Sequence, residues 1–302
     1  TRQVHLPCQE ANRRSRLNQR RFVMDYREFG RAKVKVSDIG MGTYYDASWI
    51  AASRLSGYRQ GREDKIAALR SGIELGINLI DTAEIYETEP LVAEAIKGYR
   101  RDALFVATKV WPMHLKYDQV LKAAQRSLER LQSSYIDLYQ IHWPNPMVPI
   151  KETMRAMEKL VDDGKVRYIG VSNFSLSQTK EAEEALSKYE LVSNQVEYSL
   201  KVREIEADLL PYCDKNGIVI LAYRPLAHGA LANPSGKLKA VIDEISQKDG
   251  GKTSSQIALN WLLNKSRMVF PIPRASRPQR VAEDAGAVGW SLDSDDMAKL
   301  AA

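Results

Sequence analysis

The stretch GINLIDTAEIY, residues 76–86, begins as an apolar run that should be buried and ends in Asp81, with Glu84 and Tyr86 just behind it. Two later apolar runs also end in reactive types, Lys109 in VATKVW and His142 in LYQIHWP. Taken singly, each has an ordinary explanation. Asp81 is a favoured cap for a following helix, Lys109 suits a solvated strand end, and a lone His before Trp-Pro is more often structural than catalytic. Together, a carboxylate, a phenol, an ammonium and an imidazole share one use, the reduction of a carbonyl. Hydride arriving at the carbonyl carbon leaves charge on oxygen, which needs a proton and hydrogen-bond donors to meet it. A tyrosine, with a pKa of about 10 in water, gives up its proton reluctantly, and a nearby ammonium favours the phenolate. Lys109 would be that ammonium, and Asp81 the carboxylate that keeps it charged in a partly desolvated site. His142 would donate a hydrogen bond to the carbonyl oxygen and fix its direction, or else share in the proton transfer.

These side chains meet only if their elements bring them together. After Met24 the chain alternates short apolar runs with longer amphipathic ones. The runs predict strands over 39–43, 77–81, 104–109, 136–141, 167–172, 192–197, 217–223 and 269–272. Between them, apolar residues at three- and four-residue intervals predict helices such as 64–75, 118–131, 151–163 and 254–265. Eight strands, each followed by a helix, point to an α/β fold closed as a (β/α)8 TIM barrel. No G-x-G-x-x-G follows the first strand, as a doubly wound open sheet would favour. YREF at 26–29 and KVKV at 33–36 around Gly30 predict an N-terminal β-hairpin capping the barrel floor. No Pro, Gly or Ser tract divides 26–302, which is read as one domain preceded by an extension over 1–25. In such a barrel the carboxyl ends of all strands meet at one face. Asp81, Tyr86, Lys109 and His142 then converge with Ser172 and Asn173 in GVSNF, Gln195 in SNQVEYS and Tyr223 in LAYRPL.

With these motifs in order, joined by GMGT, NQVEYS and IPRASRPQRVAED, the chain over about 26–302 resembles the aldo-keto reductases, a family of (β/α)8 barrels that use a nicotinamide dinucleotide. The resemblance implies Tyr86 as proton donor, Asp81 and Lys109 as its tuning pair, and His142 as the group that orients a small-molecule carbonyl substrate. It implies that Ser172, Asn173 and Gln195 bind the nicotinamide carboxamide, which matches their amide and hydroxyl inventory, and that Tyr223 stacks on the ring. Gly42, Thr43 and Tyr44 would lie beside the nicotinamide ribose. Arg224, Pro225, Leu226, Ile272 and Pro273 would complete the cofactor set with Asp81. Arg224 stands where Ser is commoner, so it either touches the diphosphate or makes a surface salt bridge. Arg274 and Arg280 would hold an adenosine 2′-phosphate through bidentate hydrogen bonds, implying NADP(H) over NAD. Ala275 replaces the usual Ser or Thr, with Ser276 as the compensating hydroxyl or one phosphate bond missing. Glu283 and Asp284 would reach the adenine, Asp284 in place of the usual Asn. Tyr44, Trp111, His142 and Trp143 would border the substrate, with Tyr45 and Trp49 as further members of an aromatic wall. Eighteen residues follow Asp284, too few for the long covering loop of some members.

Composition sets the remaining limits. With 302 residues and 44% hydrophobic content the chain can bury a sizeable core. Its formal charge of +6 is concentrated: residues 1–23 hold six arginines against Glu10, a net of +5, leaving +1 for the rest. That distribution argues against nucleic acid; the basic segment reads as a disordered arm, a targeting peptide or sequence ahead of a start at Met24. No apolar run approaches the eighteen or so residues that cross a bilayer, and no secretory cleavage pattern is evident. Cys8 and Cys213 lie far apart, so neither a disulfide framework nor a zinc site is predicted. These features predict a cytoplasmic protein, and without a dedicated dimer helix, a monomer. A metal-dependent hydrolase barrel would need several ligands at strand ends, yet only His142 of the histidines His5, His114, His142 and His228 ends a strand. The remaining alternative is an NADP(H)-occupied regulatory or binding subunit with little turnover.

Overall fold

The computed structural model describes residues 24–56 and 61–301. The basic segment 1–23, with His5 and Cys8, lies outside the described residues. Of the extension read over 1–25, Met24 is buried in the core.

Two short strands, β1 (Tyr26–Glu28) and β2 (Lys35–Ser37), pair antiparallel as the expected hairpin. Between them Phe29 turns inward. It is fully buried, and its ring lies 4.9 Å from that of Phe105 and 5.2 Å from that of Phe270, so the hairpin plugs the barrel as well as covering it. Gly30 permits this docking. Its φ is +49°, and a Cβ there would stand 2.2 Å from the Gly217 carbonyl oxygen.

Eight parallel strands follow in sequence order: β3 (Gly40–Gly42), β4 (Leu79–Asp81), β5 (Phe105–Val110), β6 (Ile136–Ile141), β7 (Val166–Ser172), β8 (Leu191–Glu197), β9 (Val219–Tyr223) and β10 (Val269–Pro271). The ring closes between its first and last strands, where Gly42 N donates to Pro273 O at 2.8 Å and Ala275 N to Gly42 O at 3.0 Å. A side chain on Gly42 would approach the Ile272 carbonyl oxygen to 3.0 Å, so glycine suits the seam. The strand over 77–81 starts later than its sequence suggests because Asn78 serves the hairpin: its Oδ1 accepts from Ser37 N at 2.8 Å.

Alternation along the strands sorts the side chains. Leu79, Phe105, Ala107, Leu138, Leu221 and Phe270 fill the barrel, while Ile80, Val106, Tyr139 and Ile141 face the helices. Eleven helices are present among the described residues: α1 (Ala47–Ser56), α2 (Arg62–Glu74), α3 (Glu89–Ile96), α4 (Tyr117–Leu131), α5 (Ile150–Asp162), α6 (Leu176–Glu184), α7 (Leu209–Asn216), α8 (Gly236–Lys248), α9 (Ser254–Lys265), α10 (Pro278–Ala285) and α11 (Ser294–Ala301). In α4 the buried positions Val120, Ala123, Ala124, Ser127, Leu128 and Leu131 form one stripe, the pattern of a helix packed by a single face. Capping boxes start α6 at Ser175 with Gln178 and α9 at Thr253 with Gln256.

Candidate active site

The same alternation that sends Leu79 inward sends Asp81 inward at the top of β4, and Lys109 follows Phe105 and Ala107 on the inner row of β5. The two meet above the apolar filling. Lys109 Nζ donates to Asp81 Oδ2 at 2.7 Å and to the Thr82 carbonyl oxygen at 2.8 Å, and neither side chain is appreciably exposed. Gln195 Nε2 donates to the other carboxylate oxygen at 2.8 Å. Burial pulls the Lys109 pKa down, and the Asp81 charge opposes it. Such a pair is costly to break, since either ion left alone in this place would be uncompensated.

Tyr86 closes a 3₁₀ turn (Glu84–Tyr86) beyond β4. Its hydroxyl lies 3.2 Å from His142 Nε2. The Lys109 ammonium sits over the Tyr86 ring, 4.9 Å from its centroid, and no hydrogen bond joins it to the hydroxyl. The expected acidification of the phenol is therefore not what this arrangement produces. Burial and then the Asp81 charge hold the Tyr86 pKa well above its ordinary value. Lys109 is committed to Asp81, and its effect is to offset that carboxylate.

His142 is buried at the end of the β6 row, and its pKa is pushed down to about 2 by burial and by the Lys109 charge. The imidazole is neutral across physiological pH. Nδ1 is buried with no hydrogen-bond partner among the described residues. An orphaned acceptor is tolerated better than an orphaned N–H, which favours the tautomer protonated on Nε2, facing Tyr86. Of the two roles open to His142 in the sequence, hydrogen-bond donation fits this state and imidazolium proton transfer does not.

A cavity of about 960 Å³ opens over these groups and runs from Trp111 and Trp143 to Arg280 and Asp284. Its lining includes Gly42, Tyr44, Asp81, Tyr86, Trp111, His142, Trp143, Ser172, Asn173, Gln195, Tyr223, Arg224, Pro225, Leu226, Ile272, Pro273, Arg274, Arg280 and Asp284, so most expected residues converge. Beside Tyr86 the polar groups interlock. Asn173, at φ +62°, donates from Nδ2 to the His142 carbonyl oxygen and to Ser172 Oγ, both at 3.0 Å, and accepts from the Tyr223 hydroxyl at 2.9 Å. Arg224 has the surface ion pair that was one of its two readings, with Glu197 at 3.1 Å, and also borders the cavity. At the far end Arg274 Nη1 donates to the Tyr45 carbonyl oxygen at 2.6 Å. Asp284 faces the cavity without a side-chain hydrogen bond among the described residues, and burial followed by the Glu283 charge raises its pKa to about 8.

Three expected members of the lining stand elsewhere. Thr43 is fully buried; its hydroxyl reaches the Asp81 carbonyl oxygen at 3.0 Å and Thr88 Oγ1 at 2.8 Å, which braces the turn carrying Tyr86. Glu283 is drawn aside by Arg280, 2.7 Å away. Trp49 belongs to the core, packed edge-on against Tyr45 with the Lys65 ammonium over its ring. Conversely, Asp46, Ile50, His228, Asn233 and Ser255 line the cavity although no sequence signal singled them out. His228 had one trace, a place in a Gly-containing loop, where it takes φ +55°.

A parallel eight-stranded barrel with a buried carboxylate–ammonium pair beneath a tyrosine and a neutral histidine defines the class. The chain belongs to the aldo/keto reductase family, whose model matches residues 38–302. Among its relatives is methylglyoxal reductase YeaE of Escherichia coli K12, 37% identical over 275 residues, with 88% of this chain and 90% of that protein aligned. Glyoxal reductase of Bacillus subtilis is 38% identical over 237 residues, 77% and 81% of the respective chains. Among solved structures, an aldo/keto reductase from Klebsiella pneumoniae in complex with NADP and acetate superposes with a TM-score of 0.80 at 34% identity, covering 92% of this chain and 94% of that one.

Proposed function

We propose that this chain is an NADPH-dependent carbonyl reductase acting on small aldehydes, with α-oxoaldehydes of the methylglyoxal type as its substrate class. The observation that carries the reading is the 3.2 Å contact between the Tyr86 hydroxyl and His142 Nε2 above the Asp81–Lys109 pair. The substrate class is supported by the methylglyoxal and glyoxal reductases among its relatives.

The cavity suits a dinucleotide phosphate at both ends. Amide and hydroxyl groups of Ser172, Asn173 and Gln195, with the Tyr223 ring, would hold the nicotinamide, while Arg274, Arg280 and Ser276 would hold the 2′-phosphate. Bound there, NADPH supplies the hydride. The chain's own part is to receive the resulting charge on oxygen. An oxygen placed between Tyr86 and His142 accepts a hydrogen bond from each, and the neutral imidazole does so without needing a proton from solvent. Tyr86 then gives up its proton. A phenol is ordinarily more acidic than an alcohol, which lies near water at about 16, so the alkoxide is the base that takes the proton, although burial makes Tyr86 a weaker acid than a free phenol. Lys109 pairs with the Asp81 carboxylate beneath the phenol. The complete cluster favours turnover over a silent binding role.

We place the active molecule in the cytoplasm as a monomer formed by residues 26–302 as one domain. The buried free thiol of Cys213 supports a reducing compartment, and among the described residues no helix is long and apolar enough to cross a membrane. Tyr86→Phe tests the reading: kcat with methylglyoxal should fall about 10²–10⁴-fold while NADPH fluorescence titration gives an unchanged Kd. Parental turnover in Tyr86→Phe would remove the phenol from the reaction.

A further inference from the structure

The mechanism leaves unused a buried carboxylate two residues before Tyr86. Glu84 is 6% exposed and does not border the cavity. Its Oε2 accepts the Trp111 backbone N–H at 3.0 Å, its Oε1 accepts from Arg126 Nη2 at 2.9 Å, and His114 Nδ1 stands 3.0 Å away. Its own carbonyl oxygen accepts from Arg130 at 3.4 Å. The carboxylate thus joins two loops that no strand pairing connects at this level, one carrying Tyr86 and the other Trp111.

We propose that Glu84 is a positioning residue that sets the width of the substrate gap by clamping the Tyr86 turn to the Trp111 turn. The inference rests on the reading of Tyr86 and Trp111 as borders of the substrate. The gap is a ring of contacts: the Trp111 ring meets the His142 ring edge-on at 6.0 Å, the His142 ring meets the Tyr86 ring at 5.3 Å, and Glu84 ties the backbones of the two ends. Burial by itself would raise the Glu84 pKa, yet the backbone N–H and the two basic side chains hold it below its usual value. Glu84 therefore stays ionised across the working range, and its hydrogen bonds are charge-assisted and directional. The other bonds at this turn do not reach the Tyr86 turn: His114 N donates to the Trp111 carbonyl oxygen at 2.8 Å within the short 3₁₀ turn Pro112–His114, and Asn145 Nδ2 donates to the Pro112 carbonyl oxygen at 2.8 Å. Loss of the charge should let the Trp111 wall drift away from Tyr86 by a fraction of an ångström to an ångström, a displacement that costs reactivity steeply.

The test compares the parent, Glu84→Gln and Arg126→Gln with two carbonyls of different size, methylglyoxal and 4-nitrobenzaldehyde. In Glu84→Gln the ratio of kcat/KM for the large over the small substrate should shift about tenfold, carried mainly by KM for methylglyoxal, with the Kd for NADPH unchanged. Arg126→Gln, which takes away one partner from a half-exposed position, should shift the ratio in the same direction by less. A melting temperature that falls while the ratio stays within twofold of the parent overturns the proposal and makes Glu84 a purely structural clamp. If Glu84→Gln does not fold, the ratio in Arg126→Gln decides alone by the same criterion. Failure of the wider reading looks different: Tyr86→Phe would then retain turnover, whatever Glu84 does.

Discussion

Arg274 and Arg280 carry positive charge at the far end of the cavity under unequal constraint. Arg274 is anchored on the Tyr45 carbonyl, whereas Arg280 is more than half exposed and its side chain, among the described residues, is hydrogen-bonded to Glu283 alone, one helical turn away. An exposed pair of that kind contributes little to stability, so Arg280→Ala should fold normally and report on the ligand. On the proposed reading its guanidinium would offer the 2′-phosphate a charge-assisted bond, and losing it should raise the Kd for NADPH about tenfold with less than a twofold change for NADH. Fluorescence titration with both dinucleotides reads the difference, and equal losses would count against a phosphate contact. At this scale the tetrad was legible in the sequence because each member, Tyr86 aside, ends an apolar run. The commitments of those side chains were not. That Lys109 faces Asp81 and the ring of Tyr86 rather than its hydroxyl follows from side-chain directions at the barrel mouth, and the same directions put Thr43 beneath the turn instead of beside the cavity.

Strands and helices were the most readable level. The runs around Ile80, Val106, Tyr139 and Ile220 are apolar on both faces because one face fills the barrel and the other meets a helix. Helix patterns such as that of α4 match to within a residue or two. Short pieces read less well: α3 and α10, each eight residues, lack the length for a clear period. The hairpin was visible, but its plugging by Phe29 was not, because that contact joins residue 29 to residues 105 and 270. The anchoring of this element predicts a large effect from a small change. Gly30→Ala adds a methyl at 2.2 Å from a backbone oxygen and places a non-glycine residue at φ +49°. The left-handed strain alone costs about 1–3 kcal/mol, and the overlap must also push the hairpin off Gly217. Thermal unfolding followed by circular dichroism should show a clear drop in Tm, with kcat largely kept below the transition. A parental melting curve would mean that the hairpin is not held where the structure puts it.

One buried carboxyl, Asp284, ties the stability of the whole molecule to pH. Asp284 shares its end of the cavity with Asp46, Arg274, Arg280 and Ser255; its strongest charged neighbours are Glu283, which raises its pKa, and Arg280, which lowers it. Folded, it titrates at about 8 against an ordinary 3.8. Between those values the folded chain keeps a proton that the unfolded chain has released. The stability linked to Asp284 is therefore complete below about pH 4 and declines as pH rises to about 8, by at most about 1.4 kcal/mol per unit. Asp284→Asn has no such proton to lose. Urea unfolding of parent and variant should show a gap in favour of Asn that widens from pH 5 to pH 8, and a gap of constant size would mean that the carboxyl is already ionised at the lower pH.

By itself the sequence determined the alternation of eight buried runs with amphipathic helices, and with it the barrel and the face on which Asp81, Lys109 and His142 emerge, because hydrophobic period and strand direction are local properties. Only the tertiary structure decided which charges neutralise one another, where the Glu84 carboxylate is spent, and why His142 is neutral and Asp284 protonated. Those states depend on burial and on partners tens to hundreds of residues away, such as Gln195 on Asp81, and desolvation is a property of the packed whole that no stretch of chain contains.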